Sequence, residues 1–319
     1  QTFPNEVTTV SYENVTEKNI ASAMEEAIHA GCNIIFTTTP TFAQESLRAA
    51  ITHPEVRILN CSLNTTHRYI RTYYTRMHEA KFLMGAIAGE MAENDKIVYI
   101  ADYPILGTIA QINAFALGAQ MTNPRAKVYL EWSTLKDQDI EKRIDEIDPN
   151  CISGKDIIVP DDNNHFYGVY HRESGGGEQK NLAMPLCHWG KFYEELIRTI
   201  MAGNWEQDND VEKAINYWWG MPTGVVDVIC SKKLPAGTVR LVNVLKHNYK
   251  TGQFHTFTDQ MYAQGHVLKE KKGETLSPEE VIEMDWLAEN IIGRIPKIEE
   301  FQEQAKPVLT QQGIETRKG

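Results

Sequence analysis

The sequence predicts an α/β protein built as two doubly wound, parallel-sheet lobes. Three observations carry this. Apolar residues switch along the chain between a period near 3.6 and short continuous runs, the marks of amphipathic helix and doubly covered strand. Strand and helix signals alternate one by one, which builds βαβ units with right-handed crossovers. At 319 residues the chain has room for two lobes of roughly 150 residues each.

Taken in order, residues 7–12 (VTTVSY) alternate weakly and read as a strand. Thr16 is a candidate N-cap for a helix carrying Ile20, Met24, Ala27 and Ile28, and Gly31 suits its C-terminal turn. A strand at 33–36 runs into Thr37-Thr38-Thr39-Pro40-Thr41-Phe42, followed by a helix from about 43 to 51 and a strand at 56–61. The centre of the chain is 73–120. Met77, Ala80, Leu83, Met84, Ile87, Ala88 and Met91 form a helical stripe, Asn94-Asp95 breaks it, and 97–101 (IVYIA) is a buried strand. Asp102-Tyr103-Pro104 ends that strand, and a second helix presents Ile109, Ile112, Phe115, Ala116 and Ala119. In such sheets ligands sit beyond the carboxyl ends of the strands, which puts Tyr103 where a binding residue would be.

Further on, 127–132 (KVYLEW) reads as a strand, 139–147 as a helix, and 156–159 and 166–170 as strands. Only Asn163, Asn164 and His165 separate Asp162 from Phe166, too few for a parallel crossover. Gly175-Gly176-Gly177 is a flexible loop; no Lys-Ser or Lys-Thr follows to make it a phosphate cradle. A helix runs from the Cys187–Tyr193 stretch to about 201, then come a strand at 225–229, a helix near 239–248, and one amphipathic helix after Ile298.

Composition narrows the function. Hydrophobic content of 42% with 24% charged residues is that of a globular chain. A net charge of −11 argues against a nucleic-acid backbone as partner, and no apolar run reaches the roughly 18 residues of a membrane span. The five cysteines are scattered and mostly in apolar runs; they read as buried thiols and, being odd in number, lean towards a reducing compartment. No Cys/His spacing suggests zinc, and GxSxG, HExxH, P-loop and GxGxxG motifs are all missing, so no cofactor, metal or enzyme chemistry is expected.

The stretches HEAKFLMGAIAGEM (78–91), IVYIADYPILGTIAQINAFALGA (97–119) and NPRAKVYLEW (123–132) resemble the basic membrane protein family, the solute-binding proteins of ABC transporters for purine nucleosides and bases. Residues 252–254, 259–260 and 278–296 match further family segments, the last of them the closing helix; the likeness covers roughly 5–296. It implies a type I periplasmic-binding-protein fold, two lobes joined at a hinge that closes over a flat heterocycle without transforming it. It implies an ABC permease as partner and an extracytoplasmic, membrane-associated location. Lobes of 1–76 plus about 190–235, and 77–189 plus about 236–270, are expected, with 271–319 as closing helices. The family begins with one more strand–helix unit than is seen here, so part of its site is expected outside this sequence. A cytoplasmic sensor domain using the same fold is the alternative; a nucleoside hydrolase is the rival enzyme.

A purine site needs aromatic faces and a few polar rim groups. Thr37, Thr38 and Thr39 offer hydroxyls, or cap the next helix. Phe42 offers a stacking face, or packs in the core. Trp132 lines a cleft or covers a lobe edge. Asp161 and Asp162 accept from a ligand N–H or hydroxyl, or solvate a turn. Tyr170 and His171 end a strand, and His188 and Trp189 stand at the expected hinge. There the resemblance implies a ribose-touching lysine, and Cys187-His188 in its place favours a base over a nucleoside. Trp218 and Trp219 are expected to pack the hinge, and Glu79 to hold structure through a salt bridge or hydrogen bond.

Overall fold

A computed structural model describes residues 2–63, 69–155, 167–173, 175, 178–205, 215–269 and 273–314. The chain runs α1 (Ile20–His29), β1 (Ile34–Thr37), α2 (Ala43–Thr52), β2 (Arg57–Cys61), β3 (Arg71–Thr75), α3 (Met77–Met91), β4 (Lys96–Ala101), α4 (Thr108–Thr122) and β5 (Lys127–Trp132). It continues through α5 (Ile140–Ile147), β6 (Cys151–Ser153), β7 (Val169–Arg172), β8 (Gln179–Cys187), α6 (Trp189–Met201), β9 (Tyr217–Trp219), β10 (Val226–Cys230) and α7 (Ala236–Lys250). The last elements are β11 (Tyr262–Ala263), β12 (Val267–Leu268), α8 (Pro278–Ile282), β13 (Ile291–Ile292) and α9 (Lys306–Gln312). Two compact units result, Gln1–Thr75 with Trp189–Trp219, and Arg76–His188 with Gly220–Gly319. Residues 220–235 thus fall in the second unit and not the first, because β10 pairs along β8 from Val226↔Cys187 to Cys230↔Ala183.

The first unit holds a four-stranded sheet, β1-β2-β3-β9, parallel throughout. Ile20, Met24 and Ala27 bury one stripe of α1. Asn19, not Thr16, is its N-cap residue, and its side chain accepts from Thr16 N at 2.6 Å. Residues 7–12 form no strand; this Thr-rich segment has no apolar face to bury, and Val10 is 57% exposed. The strands β3 and β9, RTYYT and YWW, were not anticipated. Both are rich in aromatic and β-branched residues, but β3 runs without a turn signal into α3, which masks it.

The second unit is built on a seven-stranded sheet, β10-β8-β7-β6-β4-β5-β13. The β6-β4-β5-β13 part is parallel, while β10-β8-β7-β6 is antiparallel. The antiparallel β6–β7 pairing removes the crossover problem at 161–170, since an antiparallel return needs no helix. The expected strand at 156–159 lies outside the described residues. β8 was missed because QKNLAMPLC lacks alternation and contains Pro185; that residue sits past the end of the β7 pairing, where its missing N–H breaks no ladder bond on that side.

Helices α3 and α4 cross at backbone contact. A Cβ on Gly85 would lie 1.9 Å from Phe115 O, and one on Gly118 would lie 2.0 Å from Phe82 O, so both positions demand glycine. The supposed closing helix at 278–296 stops after Ile282. Met284, Leu287, Ala288 and Ile291 are buried at helix-like spacing, yet the backbone is held open by α4: Asn113 donates to Trp286 O (2.7 Å) and accepts from Ala288 N (2.9 Å), and Asn290 donates to Ala116 O (2.8 Å). The chain then adds β13 alongside β5. After Ile298 it makes two 3₁₀ turns before α9, in place of one helix.

Candidate functional site

In the first unit the four parallel strands end at Thr37, Cys61, Thr75 and Trp219. Their carboxyl edge is the place where such a sheet receives a ligand. Helix α6 lays Trp189, Phe192 and Tyr193 against this region. Tyr73, fully buried, lies 5.4 Å from Phe192 and 5.9 Å from Tyr193 by ring centroid, and Trp219 is 4.7 Å from Phe192. Trp189 and Tyr193 lie within 28° of parallel at 6.2 Å, and Phe36 closes on Tyr193 at 4.9 Å. Phe192 is wholly buried, whereas Phe36, Trp189, Tyr193 and Trp219 keep part of their rings exposed.

A polar layer accompanies these rings. Asn60 donates to Thr37 Oγ1 (2.8 Å) and Thr39 O (2.9 Å), and Thr37 Oγ1 meets Ser46 Oγ at 3.0 Å. Thr37 is buried and spends its hydroxyl inside the unit; Thr38 is exposed; Thr39 is half-buried and caps the short 3₁₀ turn before α2 through Thr41 N. Phe42 is core, packed with Ile20, Met24, Ala49 and Ile58. The Tyr73 hydroxyl donates to Thr37 O at 3.3 Å and stands 3.1 Å from the Tyr193 hydroxyl. Burial, aided by Cys61 and Tyr193, pushes the Tyr73 phenol far above its usual range.

In the second unit Tyr103 is half-buried just past the end of β4. Beside it, Asp102 accepts from Ser133 Oγ through its carboxylate and from Thr134 Oγ1 through its carbonyl, which ties together the ends of β4 and β5. Trp132 is 2% exposed, donates its indole N–H to Arg294 O (2.9 Å) and meets Phe301 edge-on at 6.2 Å. Tyr170 is buried with Val98, Ile147 and Ile152, and burial pushes its phenol up to about 12. His171 is half-buried in β7; His188 is exposed, its backbone N–H bonded to Val225 O at 2.7 Å. Asp161 and Asp162 lie outside the described residues.

Glu79 is structural, as its helix position suggested. Its carboxylate accepts from Met221 N at 2.6 Å, with Arg76 Nη1 at 3.8 Å. Burial raises its pKa to about 7 against the pull of Met221 N–H and Arg76. A Cβ on Gly220 would lie 2.3 Å from Glu79 Oε2, so glycine is required where the chain re-enters the second unit. Among the described residues no group of three His, Cys, Asp or Glu could hold a metal ion, and no helix is long and apolar enough to cross a membrane.

Residues 3–178 match the model of the Bmp family, the PnrA-like ABC transporter substrate-binding proteins. The chain belongs to this family. Among its relatives, a purine-binding protein of Brucella abortus (strain 2308) is 24% identical over 305 residues, 92% of this chain and 85% of that protein. An ABC transporter glucose-binding protein, TsgA13, of Haloferax volcanii is 27% identical over 225 residues, 67% of this chain and 56% of that protein. The fold is shared with a transcriptional activator of the comK gene from Bacillus halodurans (TM-score 0.55, 17% identity, 75% of this chain and 86% of that one). It is shared equally with an ABC transporter solute-binding protein from Conexibacter woesei (TM-score 0.54, 11% identity, 77% and 86%).

Within this Bmp chain the sequence pointed to Thr38, Thr39 and Tyr103 at strand ends and to Trp189 at the expected hinge, and the structure leaves each with surface to offer. It takes Phe42, Trp132 and Tyr170 into the core. Tyr73, Tyr193 and Asn60 were not singled out: a tyrosine in a helix stripe and an asparagine in a strand carry no signal until their partners, far away in sequence, are known.

Proposed function

We propose that this chain binds a purine base, or the corresponding nucleoside, and delivers it to an ABC-type permease at the outer face of a membrane. Membership in a substrate-binding family supports a small-molecule ligand and a transporter partner. The name of the Brucella relative supports a purine. The observation that carries the reading is the group of half-exposed rings, Phe36, Trp189, Tyr193 and Trp219, at the carboxyl edge of the first sheet. Flat π-faces beside hydroxyl and amide groups suit a flat heterocycle with polar edges. In this reading Trp189 stacks on the base, and Thr38 and Thr39 supply rim hydroxyls. Binding involves no bond making or breaking.

Thermal-shift screening with purine bases, nucleosides, pyrimidines and glucose tests this. A ligand that binds only the folded chain stabilises it by about 2.7 kcal/mol at a hundred times its Kd. The expected result is a raised melting temperature with purines alone. No shift at millimolar purine, or a shift with glucose alone, overturns the reading.

A further inference from the structure

Thr38 follows β1 directly, at the carboxyl edge of the first sheet. It is exposed, and among the described residues nothing bonds its N–H, its carbonyl or its hydroxyl. One buried side chain bridges the residues on either side of it. Asn60, fully buried in β2, donates through the same Nδ2 to Thr37 Oγ1 (2.8 Å) and to Thr39 O (2.9 Å). Thr39 O decides which way that amide faces: a backbone carbonyl can only accept, and so can the amide oxygen, so the nitrogen must be the atom that meets it. Asn60 Oδ1 is itself buried with no partner among the described residues. A buried acceptor left unmatched is destabilising, so packing alone would favour an apolar residue here. The side chain is held for its two donor bonds. Thr39 O also accepts from Phe42 N at 3.2 Å, and Thr39 Oγ1 accepts from Thr41 N at 3.4 Å, which fixes the far side of the turn. Thr38 thus stands between two anchored neighbours with one donor, one acceptor and a hydroxyl unspent.

We propose that Asn60 is a positioning residue of the binding site: by bridging Thr37 and Thr39 it holds Thr38 in the pose in which its unspent polar groups meet the edge of the bound heterocycle. The inference rests on the purine reading and names the group that prepares its polar rim. The donors and acceptors of a flat base lie in one plane, and a turn free to swing must be ordered at each binding event to match them. Asn60 supplies that order beforehand and does not touch the ligand.

The test is a double-mutant cycle. Adenine is titrated by calorimetry into wild type, Thr38→Ala, Asn60→Leu and the double variant, each well below its own melting temperature. Asn60→Leu keeps the shape and removes both donors, and is expected to lose about tenfold in adenine affinity; Thr38→Ala, which removes an exposed hydroxyl, is expected to lose about fivefold. Because Asn60 acts through Thr38, the double variant is expected to lose about tenfold as well, and not the roughly fiftyfold of independent sites. Amide hydrogen exchange over 37–39 is expected to speed up in Asn60→Leu. Asn60→Ala, which adds no bulk, takes its place in the cycle if the leucine variant does not fold. Adenine affinity equal to wild type in the Asn60 variant or in Thr38→Ala, or losses that multiply in the double variant, overturns the assignment while leaving purine binding in place. If wild type binds no purine base at all, the purine reading itself fails and this inference fails with it.

Discussion

In the first unit Trp189 and Tyr193 keep part of their rings exposed beside a chain of hydroxyls, while in the second Trp132 and Tyr170 are 2% and 8% exposed. All four lie close to a strand end in sequence or space. What separates them is where the ring and its polar atom are used. The Trp132 indole N–H is satisfied by Arg294 O and its face by Phe301, so nothing is left over for a ligand. Trp189 stands in the first turn of a helix, beside Tyr73, Phe192 and Tyr193, and stays only half-buried among them. Position at a strand end thus nominates an aromatic residue, and its unspent surface decides its role.

The sharpest way to break this contrast is to truncate both tryptophans. Trp132→Ala is expected to cost about 3–5 kcal/mol of folding stability, the range for a buried large aromatic, read from urea denaturation. Trp189→Ala is expected to cost far less stability and to act on ligand binding. Equal destabilisation by the two would show that Trp189 is core as well.

Next in size is Asn113→Ala in the second unit. It strips partners from Trp286 O and Ala288 N in a buried setting, a loss of about 1–3 kcal/mol for a group left unsatisfied. Amide hydrogen exchange over 284–291 should rise with it. Unchanged protection there would mean the segment is held by its apolar side chains and not by this amide.

A smaller, pH-dependent effect comes from Glu79. Its folded pKa, about 7, lies above the unfolded value of about 4.3, so the folded state holds the extra proton. The stability it contributes is complete below that unfolded value and is lost as pH rises to about 7. Glu79→Gln is expected to remove this loss, so that wild type weakens relative to the variant across that window. His78 acts the other way. Burial and Arg76 lower its pKa to about 3, so its stability is present above about 6.5 and lost as pH falls towards 3. The two neighbours largely cancel between about pH 4.3 and 6.5, and the variant should show stability rising with pH there. Parallel curves for the two proteins would mean that Glu79 titrates normally.

The same comparison explains what the sequence could tell. The run β1–α2–β2 and the α3–β4–α4–β5 centre were legible because each helix buries a periodic face or is apolar all round, and each strand is short and apolar. The stretch 284–291 misled because its apolar spacing is helical while its backbone partners come from Asn113 and Ala116, 173 to 175 residues earlier. Trp189 was visible as an aromatic at a boundary. Tyr193 was not, since its meaning comes from Tyr73, which is 120 residues away.

The central claim, that the first unit's open aromatic edge holds a purine, is tested most directly by titrating a purine base into wild type and Trp189→Ala by calorimetry. Loss of a base–aromatic stack, worth about 1–3 kcal/mol, predicts about a tenfold or greater loss of affinity in a variant whose unliganded melting temperature is little changed. Equal affinity in the two proteins would contradict it.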